Sequence, residues 1–393
     1  MLSKKMQIQL GKGSPIRKAY EEGKRLEEIH GTEHVFDLSI GNPQAEVPPK
    51  VNETIRMLLE KNNSDLHIYM CDAGYEDVRA KIADSLNQQF GTSFGERNII
   101  MSMGAAGAMN AAMYALLDPG DEVMLMRPYY PGYNIFITNW NAVGVSVDPN
   151  PGDFQPNFID FEKKITKRTK LVIVNSPNNP TGAVYTEETI LRFASILEKK
   201  QKEYGHEIYL LSDEPYRELV YEHGELPYWT RYYDNTLVVY SFSKTLSIPG
   251  ERIGYLVIPD EVSDGGDLTQ AVRTATGMLG YVNAPSLFQK VVGECLEEKA
   301  DLEFYRRNRD ILYSRLTVLG FSVIPPQGAF YLFVKAPGGD EETFLEAAHN
   351  CNILMIGGSA FDYPGYARIS FCASEDKIRC SLLAFEKLAE LVL

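Results

Sequence analysis

An α/β fold, with a mostly parallel sheet flanked by helices and a smaller α+β unit behind it, follows from three features of this sequence. Four short apolar runs, VMLM (123–126), LVIV (171–174), IYLL (208–211) and LVVY (237–240), have the length and β-branched content of strands buried on both faces. Helical patterns separate them, and that alternation predicts parallel pairing through crossover connections. After Pro285 the texture changes to charged helical sequence and then to short strand candidates.

The first separating helix runs from about Ala105 to Leu117 and stops at the turn DPGD (118–121). Another begins after Thr186, a cap residue followed by Glu187 and Glu188, with Ile190, Phe193, Ala194 and Leu197 recurring at i, i+3, i+4 and i+7. Residues 286–320 read as one long helix that itself links the two units. Strand candidates then fall near 321–324, 329–335, 352–356 and 367–372, with a helix between them and one at the C-terminus. The expected organisation is an N-terminal segment, 1–45, packing with the small unit, then a large unit, 46–285, and a small one, 286–393.

With 393 residues, 44% of them hydrophobic and 23% charged, the chain reads as an ordinary soluble globular protein long enough for two domains. A net charge of −14 disfavours nonspecific binding to nucleic acid or anionic membrane, because both would repel the average surface. The five cysteines are widely spaced with no CxxC pair, so they read as reduced thiols, mostly core filling. The start, MLSKKMQIQLGKGSP, has no apolar stretch behind its lysines, and nowhere do eighteen apolar residues run together. The expected location is cytoplasmic.

In an open parallel sheet, ligands bind beyond the carboxyl ends of the strands. Here those ends are polar: RPYYPGY (127–133), NSPNNPTG (175–182), SDEPY (212–216) and SFSK (241–244). Singly, each is a turn, with Asp213 as a helix cap and Lys244 as a solvated lysine. Together they would meet at one edge of one sheet. A lysine amine forms an imine with a carbonyl compound, and pyridoxal phosphate is the commonest cofactor that uses this. Asp213 can keep its pyridine nitrogen protonated, and Tyr216 and Asn179 can donate to its phenolic oxygen. Ser241, Ser243, Arg252 and the start of the Ala105 helix, where GAAG (104–107) admits close approach, can hold its phosphate.

With these motifs in order, NPTG at 179–182, D-x-x-Y at 213–216, S-x-S-K at 241–244, R-x-G at 252–254 and Arg-Ile-Ser at 368–370, the sequence resembles the class I/II aminotransferases from about residue 36 to its end. That is a fold-type I family of pyridoxal phosphate enzymes. The resemblance implies that Lys244 is the covalent anchor and then the acid and base acting at the substrate α-carbon. Asp213 would pair with the ring nitrogen, Asn179 and Tyr216 would tune the phenolic oxygen, and Tyr130, rather than its neighbour Tyr129, would stack on the ring. The Ala105 and Ala106 amides, Ser241, Ser243 and Arg252 would take the phosphate. Tyr69, in YMCDAGY, would reach the phosphate of a neighbouring subunit and so require a homodimer. Arg368, in YARISF, would grip the substrate α-carboxylate in a pocket also lined by Gly41 and Asn179.

Two departures bear on the substrate. Where aspartate aminotransferases of the family place an arginine for the distal carboxylate, the register anchored on YVNAP (281–285) puts Met278, with Arg273 nearby but out of register. Where another aspartate-using subgroup has a lysine, this chain has Ala106. The expected substrates are a neutral, aromatic or aliphatic amino acid and a 2-oxo acid, exchanging an amino group by a ping-pong mechanism, with Lys12 and Arg17 on a segment able to close over the site. The rivals are a C–S β-lyase, a decarboxylase or a racemase on the same residues, since substrate orientation selects the broken bond. An effector-binding regulator would need a DNA-binding module, for which the roughly forty residues before the matched region leave little room. A nucleotide-binding enzyme is disfavoured, because the sequence has neither G-x-G-x-x-G after a strand nor GxxxxGK(S/T).

Overall fold

The computed structural model describes residues 2–13, 15–60, 64–150, 152–221 and 226–393. In chain order its strands are β1 (Phe36–Asp37), β2 (Ile99–Ser102), β3 (Glu122–Met126), β4 (Val143–Val147), β5 (Thr169–Asn175), β6 (Tyr209–Asp213), β7 (Thr236–Ser241), β8 (Gly254–Val257), β9 (Tyr331–Lys335), β10 (Ile353–Leu354), β11 (Ile356–Gly357) and β12 (Tyr366–Ser370).

The four apolar runs became β3, β5, β6 and β7, which pair parallel in the centre of a seven-stranded sheet ordered β2-β8-β7-β6-β5-β3-β4. Their side chains alternate between two cores. Val123, Leu125, Leu171, Ile173 and Leu211 face the helix Gly104–Leu116, while Met124, Met126, Val172, Val174 and Leu210 face the helix Glu187–Tyr204. Burial on both sides is why these strands read as unbroken apolar runs. The strands β2, β4 and β8 were not anticipated: β4 is an edge strand with its first residues exposed, and β8 runs antiparallel to both neighbours. That reversal matters for the site. The carboxyl ends of β2, β3, β5, β6 and β7 open on one edge, and the start of β8 opens there too.

Thr186 caps its helix as expected, its side chain accepting from the Thr189 N–H, and Gly205 ends that helix in a left-handed conformation. Residues 286–320 do not form one helix. They form two, Ser286–Glu294 and Leu302–Leu319, because Cys295 packs in the core beneath the large sheet whereas Ala300 packs in the core around the small one. The chain turns between these anchors, and the Asp301 side chain accepts from the Phe304 N–H to start the second helix.

A three-stranded antiparallel sheet, β11-β12-β9, forms the second layer, with β1 and β10 paired parallel beside it through Phe36 and Ile353. Residues 321–324 contribute only a single bridge, Val323 to Val334, rather than a strand. All five cysteines are free, but only Cys295 and Cys372 are buried; Cys71 and Cys380 are exposed, so core filling accounts for two of them. Among the described residues, no helix is long and apolar enough to cross a membrane.

Candidate active site

Register across the large sheet sets the site's floor. Ser102 and Ser241 both stand opposite Gly254, while Asp213 stands opposite Asn175 and Val239. A cavity of about 290 Å³ opens over this edge, and every site residue expected from the sequence lines it except Tyr69. Tyr69 is 89% exposed and is not part of the lining.

Asp213, the last residue of β6, is the cavity's buried acid. Its Oδ2 accepts a 2.6 Å hydrogen bond from the Tyr133 hydroxyl, and its Oδ1 has no partner. Burial pushes its pKa up to about 7; the Tyr133 hydrogen bond opposes the rise and the Glu214 charge adds to it. A buried carboxylate oxygen left bare in a cavity is costly unless a cationic donor meets it there. Asn175 steadies the neighbouring backbone, donating from Nδ2 to the Asp213 carbonyl and accepting at Oδ1 from the Asn179 N–H, both at 2.8 Å.

Lys244 follows β7 in the short helix Phe242–Thr245, and its Nζ donates to the Gly41 carbonyl at 2.6 Å. Desolvation lowers its pKa to about 8, assisted by the charges of Arg368 and Arg252 and opposed by Cys372. A lysine so depressed holds a substantial neutral, nucleophilic fraction near physiological pH.

The opposite corner suits an anion. The helix Gly104–Leu116 starts without a side-chain cap, so its first-turn N–H groups have no capping acceptor, and Ala105 and Ala106 of that turn line the cavity. Gly104, at φ +66°, lets the guanidinium of Arg252 lie against that turn; a Cβ there would come within 2.9 Å of the arginine nitrogen. Arg252 itself is left-handed, φ +54°, and its Nη1 donates to the Pro249 carbonyl at 2.9 Å. Ser241 donates to Ser243 at 2.8 Å, completing the corner.

The far wall comes from the small sheet. Arg368 on β12 is only 2% exposed, donating to Asn179 Oδ1 at 2.9 Å and to the Ser39 carbonyl at 2.5 Å, while its Nε has no partner. Its guanidinium lies between the rings of Tyr331 (4.5 Å) and Phe361 (4.9 Å). Tyr331 also shares a 2.9 Å hydroxyl–hydroxyl hydrogen bond with Tyr216, and its hydroxyl occupies the space a Cβ on Gly41 would take.

Of the two adjacent tyrosines, Tyr130 lines the cavity, edge-on to Tyr133, whereas Tyr129 is packed in the core with its hydroxyl on Asp362. Met278 lies exposed away from the cavity, and Arg273 is paired with Asp72. Arg17 pairs with Glu21, and the Lys12 side chain lies outside the described residues. Sequence reasoning missed Tyr133, Asn175, Tyr331 and Phe361. The first two sit inside segments already singled out, three or four residues from an expected partner; the last two, Tyr331 on β9 and Phe361 in the turn Gly358–Phe361, have no local signal.

Pyridoxal phosphate fits this donor set. Asp213 Oδ1 is a bare buried acceptor for a cationic ring nitrogen, the Arg252 corner offers a cation, hydroxyls and helix N–H groups to a phosphate, and Lys244 is a depressed amine beside both.

The sequence model for aminotransferase class I and II matches residues 33–382. The chain is similar to an aspartate/prephenate aminotransferase of Thermus thermophilus, 31% identical over 89% of this chain and 90% of that one. It is likewise similar to a probable N-acetyl-LL-diaminopimelate aminotransferase of Bacillus subtilis, 31% identical over 88% of this chain and 87% of the other. Among solved structures, an aminotransferase from Eubacterium rectale superposes with a TM-score of 0.96 at 44% identity, covering 100% of this chain and 99% of that one. A depressed lysine, a bare buried aspartate and an anion corner on a mostly parallel α/β sheet thus have one family reading: this chain belongs to the class I and II aminotransferases and is a pyridoxal phosphate-dependent transaminase.

Proposed function

We propose that the cavity transfers the amino group of a neutral amino acid, aromatic or aliphatic, to a 2-oxo acid in two half-reactions. The observation that carries this reading is the set of charged groups lining the cavity: Asp213, Lys244, Arg252 and Arg368. Bound pyridoxal phosphate supplies an electron sink for the pair left when the substrate α-hydrogen departs. Asp213, whose Oδ1 is bare and whose Oδ2 is held by Tyr133, would pair with the ring nitrogen and favour its cationic form. The Arg252 guanidinium, Ser241, Ser243 and the Ala105 and Ala106 N–H groups would hold its phosphate, Tyr130 would cover its ring, and Asn179 and Tyr216 would serve its phenolic oxygen. Lys244 would anchor the cofactor and would also be the group that carries the proton at the substrate α-carbon. Arg368, steered by Asn179 and Ser39, takes the α-carboxylate, with Gly41 lining the same side. Each cation in the lining is then engaged, which supports an uncharged substrate side chain.

Tyr69 is proposed to serve the phosphate of a second copy in a homodimer; its exposure supports that reading. Residues 46–285 are taken as the cofactor-bearing unit and 286–393, with 1–45, as the unit bringing Arg368. The free thiols support a reducing, cytoplasmic setting. An acidic donor is the second reading, favoured by relatives named for aspartate.

The test is the visible spectrum of the cofactor-loaded protein, titrated with single amino acids in the absence of a 2-oxo acid. Bleaching by phenylalanine or leucine, but not aspartate, is the expected result. Bleaching by aspartate alone would overturn the substrate assignment, and ammonia with pyruvate accumulating from cysteine conjugates would make the enzyme a β-lyase.

A further inference from the structure

The two walls of the cavity are tied together at a residue outside it. Asp362 follows the turn Gly358–Phe361 of the small-sheet layer, and its Oδ2 accepts from Arg127 Nε at 2.7 Å, the Tyr129 hydroxyl at 3.0 Å and Ser146 Oγ at 2.6 Å. All three donors come from one end of the large sheet: Arg127 and Tyr129 directly follow β3, and Ser146 lies in β4. A backbone bond runs beside them, from the Tyr129 N–H to the Phe361 carbonyl at 3.2 Å. Burial would raise the Asp362 pKa, but hydrogen bonds from Arg127 and Ser146 outweigh it and hold the carboxyl below its ordinary value. Arg127 also reaches Asp148 through NH1 at 3.0 Å, so the latch is a network rather than a single exposed pair.

What this network holds is specific. Phe361, one residue before Asp362, is a ring stacked on the Arg368 guanidinium, and Tyr130, one residue after Tyr129, is the aromatic of the cavity. We propose that Asp362 is a positioning residue that keeps Tyr130 and Arg368 in register across the two sheets, so that cofactor retention and carboxylate binding depend on it together. The proposal rests on the roles given to Tyr130 and Arg368 above.

Asp362 has φ +60°, a conformation that asparagine and glycine hold without the strain other residues would add. Asp362→Gly therefore removes the carboxylate and keeps the backbone path, and Asp362→Asn retains one acceptor oxygen. Two constants are measured: dissociation of pyridoxal phosphate from the protein, and dissociation of 3-phenylpropionate, a carboxylate with no amino group, from the cofactor-loaded enzyme. Asp362→Gly is expected to raise both by about 2- to 30-fold, the range for a coupling network, with Asp362→Asn between it and the parent. Lowered thermal stability with both constants unchanged would make Asp362 a structural contact only and overturn the proposal; so would a change in one constant alone. Arg368→Ala is the control: if it leaves 3-phenylpropionate binding intact, the reading of Arg368 has failed, and an unchanged pyridoxal phosphate constant in Asp362→Gly then overturns the latch by itself. Should Asp362→Gly not fold, Tyr129→Phe and Ser146→Ala, each removing one donor, are expected to move both constants in the same direction by less, and no movement in either variant would overturn the proposal.

Discussion

Asp213 and Ser241 stand at the very ends of β6 and β7, so the ladder alone delivers them to the edge, whereas Arg368 lies within β12, itself paired on both sides, and its long side chain owes its orientation to two aromatic faces and two acceptors from distant segments. The first wall is positioned by the ladder itself: once the strands form, the residues following them arrive at the edge. The second is positioned by packing, through Tyr331, Phe361, Asn179 and Ser39. Damage to the first wall should therefore abolish chemistry, and damage to the second should weaken recognition.

The sharpest test of that contrast is Lys244→Ala, expected to cut transamination by about 10⁴-fold or more, since it removes both the anchor and the proton carrier. Steady-state assay with saturating cofactor would measure it, and activity within tenfold of the parent would break the assignment.

Next in size is a stability effect on the cofactor-free protein. Asp213 has a folded pKa of about 7 against an ordinary 3.8, raised chiefly by burial, so between those values the folded state binds more protons than the unfolded one and stability falls as pH rises. Asp213→Asn should thus stabilise the cofactor-free protein by an amount that grows from about pH 4 to about pH 7 and then levels off. Thermal melting across that range checks it; a pH-independent gain would mean that Asp213 is not the buried acid.

In the second wall, Arg368→Ala should raise KM for the amino acid by about 10- to 100-fold, the worth of a charge-assisted hydrogen bond pair, while the cofactor stays bound. Loss of the cofactor instead would move the arginine to the first wall. The smallest effect is expected for Tyr331→Phe, which removes the hydroxyl shared with Tyr216 but keeps the ring under Arg368. A fall of about 2- to 10-fold in kcat/KM is anticipated, and a loss as large as that of Arg368→Ala would show that the two walls are not separable.

The first wall was legible because its determinants are local. A run such as LVVY announces a doubly buried strand, and the residues directly after it must sit at the sheet edge, so Ser241, Ser243 and Lys244 could be placed from the order of residues alone. Arg252 was singled out with them as the cation for a phosphate, but chain order did not fix its position, because its place at that edge depends on β8 running antiparallel, which no local pattern announces. Tyr331 and Phe361 were missed for a related reason: each touches Arg368 from a different part of the chain, and an aromatic in an apolar stretch reads as core.

The break at Cys295–Asp301 marks the same boundary. Helical periodicity continues through the charged residues there, but two separate cores claim Cys295 and Ala300, and tertiary packing overrides local propensity. By itself, the sequence determined the strand–helix alternation, the caps, and the cavity-lining residues that follow strands, because period, capping chemistry and chain order act over a few residues. Only the tertiary structure decided which oxygen of Asp213 stays bare, what grips Arg368, and how Asp362 joins the walls, because those depend on atoms brought together from segments up to hundreds of residues apart.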